Sequence, residues 1–287
     1  MKALFNLLLL FLLVSCSKEA PVSLVKSPPR LNVNDSLAVL SIYQKMTDFK
    51  PGKDNFKTEG ELKYELDTLH NEYRVVSLEI SEITKDCIFP EELRQLTELR
   101  KLSFLEGTLY GSIPPWIGEL KKLQSLVLMR VKLTGSIPME ITELTELKKL
   151  RIAEVDLSGK LPNGLYRLSK MENLVLTQTK IGGEIPKELG QLKKLEFCIL
   201  SQNQFEGMFP IEFAMSCKYV IECDNNNITE LPFEIWRDDL PGYPPMLTNN
   251  RLSGKIPDWV LKTKKWKDYG FVVEQQQDGF GYVNFKR

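Results

Sequence analysis

The chain has 287 residues, and its 38 lysines and arginines balance 38 aspartates and glutamates, which gives a formal net charge of zero at pH 7. This balance excludes the one-sided basic field that favours binding to a phosphate backbone, so nucleic acid is not an expected partner. The apolar fraction of 43% is ordinary for a soluble folded chain.

The N-terminus combines a positive residue with a short apolar run. Lys2 precedes the leucine-rich run 3–14, which is too short to span a bilayer comfortably and favours a secretory signal over a membrane helix. The run ends in Leu-Val-Ser-Cys at 13–16, which resembles the bacterial lipobox. That resemblance implies a signal peptide over 1–15, cleavage before Cys16 and lipidation of that cysteine. An ordinary signal peptide with an incidental cysteine is the alternative.

The segment 16–34 has no helical or strand period and contains a Pro-Pro pair, which predicts a flexible tether. Several acyl chains on Cys16 would anchor the protein stably in a membrane. We therefore expect an exported protein held in the bacterial cell envelope, at the outer membrane or cell surface. Which side the folded domain faces stays open.

The segment 35–74 is predicted as an N-terminal helical cap. Asn34 or Asp35 is expected to cap its first helix. Leucines spaced as in Leu62, Leu66 and Leu69 indicate a short second helix. The apolar face of the first helix consists of Ala38, Val39, Ile42, Tyr43 and Met46.

From residue 75 to 257 the sequence repeats with a period of 24 residues. A fixed period in this range is the signature of a solenoid, whose units bury their apolar faces by stacking. In the strictly spaced units, a glycine followed two residues later by an aliphatic or aromatic residue and then by proline marks the turn. Cys87 and Glu230 replace this glycine in the degenerate first unit and in the shortened seventh unit. The strictly spaced glycines are Gly111, Gly135, Gly159, Gly183 and Gly207.

One unit, 120–138, shows how the pattern folds. Leu126 and Leu128 alternate with Val127, which predicts a short strand whose leucines point inward. Gly135 permits a backbone turn that a side chain would obstruct. Strands paired about 4.7–4.9 Å apart beside bulkier outer segments predict a curved stack with the strands on its concave side.

The repeat L-x-x-L-x-L-x-x-N-x-L-x-G-x-I-P resembles the leucine-rich repeat family, in the 24-residue class best known from plant extracellular receptors. The resemblance covers 75–257 and about eight units. It implies an α/β solenoid with parallel strands on the concave face and caps at both ends. Asp35–Leu40 and Arg74–Leu78 resemble the start of the family's fold, although the cysteine pair and tryptophans of plant caps are missing. The lipobox points to a bacterial relative.

The family's ladder asparagine is present at Asn203, Asn226 and Asn250 only. In the earlier units backbone or water is expected to satisfy the inner turn, and those units are expected to be less rigid. The residues in the asparagine slot there are Ile83, Gly107, Val131, Val155 and Thr179.

The segment 258–287 is predicted as an aromatic C-terminal cap, because solenoids need atypical units at their open ends. Two runs, 269–275 and 280–285, flank a Gln-Gln-Asp-Gly sequence like the strands of a hairpin.

The cysteines of the folded part are interpreted as small buried hydrophobes, because three of them fall on inward positions of the repeat. These three are Cys87, Cys198 and Cys223. A local disulfide between Cys217 and Cys223 is the open alternative, since an exported chain permits one.

Signals of catalysis and of metal binding are weak. His70 is the sole histidine and reads as a surface residue, and neither a C-x-x-C nor an H-E-x-x-H sequence occurs. Glutamates after each repeat proline read as a solvated face rather than a glycosidase pair. We therefore expect a non-enzymatic protein without cofactor or metal.

Residues at the outward strand positions are not needed to pack one unit against the next. The candidate site is therefore sought among them. Contiguous apolar area with a charged rim is typical of protein-binding surfaces. The predicted function is a membrane-anchored module that binds a protein partner, whose identity the sequence does not give. Cell-surface glycan binding or processing and a purely structural envelope role are the alternatives, and β-branched residues also favour strands for no functional reason. The candidate residues are Leu105, Val127, Met129, Arg130, Arg151, Ala153, Val175, Thr177 and Ile199.

Overall fold

The computed structural model describes residues 29–47, 62–240, 242–277, 279 and 281–282. The predicted signal peptide, Cys16 and most of the tether lie outside these residues. The helices are α1 (Val33–Met46), α2 (Ile211–Ala214), α3 (Asp258–Lys262) and α4 (Lys264–Tyr269). The strands are β1 (Arg30–Leu31), β2 (Leu62–Asp67), β3 (Glu72–Ile80), β4 (Ile83–Ile88), β5 (Lys101–Phe104), β6 (Gly107–Gly111), β7 (Ser125–Met129), β8 (Val131–Gly135), β9 (Lys149–Ala153), β10 (Asp156–Lys160), β11 (Asn173–Thr177), β12 (Lys180–Glu184), β13 (Phe197–Ile199), β14 (Gln204–Met208), β15 (Val220–Glu222), β16 (Asn227–Glu230), β17 (Ser253–Gly254) and β18 (Gly281–Tyr282).

A long parallel sheet runs along one side of the described part of the chain. Its strand order is β1-β3-β5-β7-β9-β11-β13-β15, and β2 joins it antiparallel to β3. The repeat sets the register, so that Leu102, Leu126, Leu150 and Leu174 pair across β5 to β11. All four leucines are fully buried. The predicted solenoid of stacked parallel strands with inward leucines is confirmed.

A second parallel sheet, which the sequence interpretation missed, runs beside the first in the order β16-β14-β12-β10-β8-β6-β4. In β8, Val131 and Leu133 are buried while Lys132 and Thr134 are exposed, the period of two that marks a half-buried strand. Gly135 ends this strand with φ 82°, which confirms the predicted turn.

A short 3₁₀ segment follows most repeat prolines on the outer side of the stack. In one unit, the amide of Ile141 donates to the carbonyl of Pro138, and Ile141 is buried against the core. Charged side chains of neighbouring units pair outside, as where Lys121 meets Glu143 at 2.5 Å. These segments are Glu91–Gln95, Pro115–Glu119, Met139–Glu143, Leu165–Arg167, Lys187–Gln191 and Phe233–Trp236.

Helix α1 closes the N-terminal end of the core. All five residues predicted for its apolar face are buried. Its N-cap is Asn32, which accepts the amide of Asp35 at 3.0 Å, and the prediction of Asn34 or Asp35 was wrong. The Asp35 carboxylate has another role, because it accepts two hydrogen bonds from Arg74 and one from the amide of Val75.

The second cap helix is also a wrong prediction. Leu62 and Leu66 lie in strand β2, paired antiparallel with β3 from Leu62 opposite Leu78 to Asp67 opposite Glu72. The helical spacing of the leucines was incidental. Hydrogen bonding to the adjacent β3 decides the conformation, because context overrides weak local pattern.

The C-terminal segment continues the solenoid, and the predicted hairpin was wrong. Residues Gly270–Val273 form a 3₁₀ turn, and the amide of Leu247 donates to the carbonyl of Val272. Strand β18 then pairs parallel with β17. The side-chain amide of Gln276 donates hydrogen bonds to the carbonyls of Leu247 and Val273, and its Oε1 accepts one from the amide of Leu252. Gln276 thus takes the role of a ladder asparagine.

The four cysteines of the described residues are free thiols, so Cys217 and Cys223 form no disulfide in this structure. Cys198 and Cys223 are fully buried, as predicted, and burial raises the pKa of both thiols. Cys87 is only half-buried, although β6 pairs it with the fully buried Leu109, so the expectation of a buried thiol holds only in part there. Within the part of the chain described, no helix has the length and apolar character needed to cross a membrane.

Candidate functional site

All candidate residues except Arg130 lie on the face of the long sheet that points away from the core. We call this surface the sheet face and define it by three rows of side chains across strands β5 to β13. The first row contains Lys101, Ser125, Lys149, Asn173 and Phe197. The second contains Ser103, Val127, Arg151, Val175 and Ile199. The third contains Leu105 and Ser201, which follow β5 and β13, and the paired residues Met129, Ala153 and Thr177.

The structure brings the predicted apolar residues together but exposes them unequally. Val127 and Ala153 retain only 8% and 3% of their accessible surface, so they are a floor rather than contacts open to a partner. Leu105, Met129, Val175 and Ile199 are half-buried and supply the open apolar surface, and Thr177 lies among them. The apolar patch is therefore a shallow strip, smaller than the sequence indicated.

Arg130 lies beyond the end of β7, in the turn that leads to the second sheet. Its backbone is left-handed, with φ 47°, and its guanidinium reaches Glu106 and Glu154 at 3.6 and 3.7 Å. Both partners belong to neighbouring units, so the three charges form a ladder along the edge of the sheet face. The side chain of Arg130 is thus held in this ladder, and the ladder forms the predicted charged rim of the apolar surface.

Arg151 occupies a different environment in the middle of the second row. It pairs in register with Val127 and Val175, and its side chain is half-buried. Its Nε atom is buried and has no hydrogen-bond partner among the described residues. The Nε itself is shielded, so an incoming acceptor would meet the terminal nitrogens of this unpaired guanidinium.

Carboxylates flank the sheet face at its ends. Glu79 lies on β3 and Glu222 on β15, both in the row of Arg151. Burial, and next to it the nearby carboxylate of Asp224, raise the pKa of Glu222. Asp224 itself accepts the amide and the hydroxyl of Thr248.

An aromatic pair lies at the edge of the first row. Phe197 ends that row, and the ring centroid of Tyr219 from the next unit lies 5.3 Å from the Phe197 centroid. The two side chains are 38% and 44% exposed. The ammonium group of Lys218 lies 4.7 Å from the Tyr219 centroid. The unit that contains Tyr219 departs from the 24-residue spacing, so the period did not predict that Tyr219 lies beside Phe197.

No cluster of side chains suited to hold a metal ion occurs within the described ranges. His70 is exposed, and its Nδ1 lies 2.7 Å from a carboxylate oxygen of Asp67. The hydrogen bond with His70 lowers the pKa of the Asp67 carboxyl. The pair lies in the turn after β2, consistent with the interpretation of His70 as a surface residue.

The family of the chain follows from this geometry and from comparison. A family model described as "Leucine-rich repeat region" matches residues 57–213, which is more than half of the chain. The chain belongs to the leucine-rich repeat family. No curated protein sequence matches it at a significant level.

Solved structures with the same fold are plant proteins and receptors. A TDR receptor is 28% identical with TM-score 0.58, over 65% of this chain and 32% of the receptor. The plant peptide hormone receptor RGFR1, in complex with RGF2, is 28% identical with TM-score 0.55, over 63% of this chain and 29% of the receptor. A plant ice-binding protein is 24% identical with TM-score 0.65, over 90% of this chain and 79% of that protein, and shows the fold alone. The chain thus spans about a third of the length of these two receptors.

Proposed function

We propose that this protein is a non-enzymatic binding module that holds a protein or peptide partner on its sheet face. The observation that carries the proposal is the half-buried apolar strip of Leu105, Met129, Val175 and Ile199 around Arg151, none of which serves the core between the sheets. The plant peptide hormone receptor complex supports it, since that receptor has the same fold and a peptide partner. Apolar area with a charged rim is the surface that such partners use.

The test compares two methionines. Met129 lies on the sheet face, and Met139 lies on an outer 3₁₀ segment, where it is 64% exposed. We expect Met129→Glu to abolish capture of the partner when the tagged full chain is crosslinked to native envelope, because a carboxylate would disrupt the apolar contact. Met139→Glu is the matched control and should capture as the parent does.

The stability of both variants decides how the capture result is read. We expect each to lie within about 1 kcal/mol of the parent in thermal unfolding, because neither side chain is fully buried. Equal capture by Met129→Glu and the parent would refute the sheet face as the binding surface. A large loss of stability in Met129→Glu would show instead that Met129 belongs to the core.

We further propose that the chain is a bacterial lipoprotein of the 24-residue repeat class, exported and anchored in the cell envelope through lipid on Cys16. The support is the lipobox-like sequence before Cys16 and the short apolar run that precedes it. Several acyl chains on one residue give stable anchoring, which one chain does not.

Replacing Cys16 with serine is expected to move the protein from the membrane to the soluble fraction of the cell, because the thiol that accepts the lipid is gone. Fractionation followed by detergent partition measures the change. Cys87→Ser is the control and should stay with the membrane. Membrane association that survives Cys16→Ser would contradict the lipid anchor.

A further inference from the structure

The charges of the sheet face are one-sided although the chain as a whole is neutral. Across the five strands β5 to β13, its three rows contain the cations Lys101, Lys149 and Arg151 and no carboxylate. The acids nearest along the second row are Glu79 and Glu222, each three strands from Arg151. At about 4.7–4.9 Å per strand, they lie about 14 Å away. The centre of the face therefore has no counter-ion of its own.

Arg151 is the cation best placed to bind an acceptor. Lys101 and Lys149 are exposed and solvated, whereas Arg151 is half-buried with its Nε shielded and unpaired among the described residues. A guanidinium presents a rigid fork of donors that matches the two oxygens of a carboxylate. Arginines in partly desolvated positions beside apolar side chains are frequent centres of binding energy at interfaces.

The apolar surroundings favour a polypeptide carboxylate over a phosphate polymer. Val127 and Val175 flank Arg151, and Ile199 and Phe197 both lie on β13, one strand beyond Val175. A phosphate backbone requires a broad basic surface, and three cations among aliphatic side chains do not form one. An acidic peptide with an apolar residue matches both the charge and the strip.

We propose that the sheet face selects an extended acidic peptide segment, with one aspartate or glutamate bound by Arg151 and an apolar or aromatic side chain packed against Phe197. The proposal rests on the binding function proposed above and adds the chemistry of the partner. Phe197 lies two strands and one row from Arg151, which is about 12 Å on the diagonal. At about 3.3 Å per extended residue, and because alternate side chains of an extended segment share a side, the two peptide side chains are about four positions apart.

The experiment pans the full chain, immobilised by a C-terminal tag, against a random displayed library of peptides of about twelve residues, long enough to cross all five strands. We expect the enriched peptides to share an acidic residue about four positions from an apolar or aromatic one. The most enriched peptide, synthesised with a fluorophore, then serves as the probe for anisotropy titration of each variant.

Arg151→Gln is expected to weaken binding of this probe by about 10- to 100-fold, because a charged hydrogen bond is lost. Arg151→Lys should recover only a small part of the loss, because a lysine lacks the fork. Arg167→Gln is the matched control: Arg167 is exposed on the outer 3₁₀ segment Leu165–Arg167, and its removal should leave the affinity unchanged.

The outcomes separate the two proposals. Enriched peptides that bind Met129→Glu as well as the parent would overturn both the binding function and the acidic partner. A library that yields no enriched peptide would overturn the acidic peptide alone. Peptides that lose affinity for Met129→Glu but show no acidic preference, or that bind Arg151→Gln as tightly as the parent, would overturn the acidic partner alone.

Discussion

Asp35→Ala is expected to lower the free energy of unfolding of the N-terminal cap by about 3–5 kcal/mol, the cost typical of removing one partner from a buried ion pair. Asp35 is fully buried and accepts both Nε and Nη2 of Arg74 at 3.0 Å. It also accepts the amide of Val75 at 2.8 Å. Without the carboxylate, a guanidinium and a backbone amide lose their acceptor at the point where α1 meets the first strand of the stack.

Urea denaturation followed by tryptophan fluorescence measures this loss. Trp116 packs edge-on against Phe89 at 6.1 Å near the cap, whereas Trp236 is buried far along the chain. Because a solenoid is stabilised unit by unit, we expect the transition seen by Trp116 to move to lower urea first. Hydrogen exchange at the amide of Val75 should accelerate with it.

Asp156→Ala provides the matched control. Asp156 pairs with Lys180 at 2.6 Å, but both side chains are more than half exposed, so the loss should stay below about 1 kcal/mol. Adding Arg74→Met to Asp35→Ala should restore part of the stability, because the unpaired guanidinium is then removed as well. Equal losses in Asp35→Ala and Asp156→Ala would show that the buried pair contributes no more than a surface pair.

The sequence was sufficient to predict the stack of parallel strands, because the inward-facing apolar positions recur in every unit. Each leucine in the row of Leu126 is buried against the same kind of neighbour, so period and register followed directly. Where the sequence departs from the repeat, the local spacing of apolar residues led to wrong predictions. Leu62 and Leu66 have helical spacing but form β2, since pairing with β3 is a tertiary effect. Gln276 was not recognised in the asparagine role because the spacing of the last unit differs.

The residues of the candidate site could be placed on one face from the sequence, but their exposure could not. Val127 and Ala153 are outward in the pattern and yet almost fully covered, since small side chains in a parallel sheet are shielded by their neighbours about 4.7–4.9 Å away on each side. The pairing of Arg130 in an ionic ladder and the lack of a partner at Arg151 likewise depend on side-chain directions. Periodicity carries no information on these directions.

The ladder asparagines supply the second large effect. Asn226 is buried, and its side-chain amide donates to the carbonyls of Leu200, Cys223 and Asp224 at 2.9–3.2 Å. Its Oδ1 accepts the amide of Phe205 at 3.0 Å. Asn226→Val is expected to destabilise the fold by about 2–4 kcal/mol, because valine matches none of these groups and leaves buried polar atoms without a partner.

Valine is nevertheless the native residue at Val131 and Val155, so the position itself does not forbid it. One earlier unit shows an alternative acceptor: the amide of Leu157, which corresponds to that of Phe205, donates to the carbonyl of Val155 at 2.8 Å. A backbone carbonyl can therefore replace the side-chain acceptor for this amide. If Phe205 could turn to the carbonyl of Asn203 in the same way, part of the cost of Asn226→Val would be recovered.

Urea denaturation read by Trp236, in the unit that follows Asn226, measures the effect of Asn226→Val. Asn173→Val is the matched control, since Asn173 lies half-buried on the sheet face and valine is favoured in strands, so its effect should stay within about 0.5 kcal/mol. A loss at Asn226 no larger than that at Asn173 would mean that the backbone re-pairs fully, as in the unit of Val155. The asparagine would then be dispensable, and the earlier units, which lack it, would be no less rigid than the later ones.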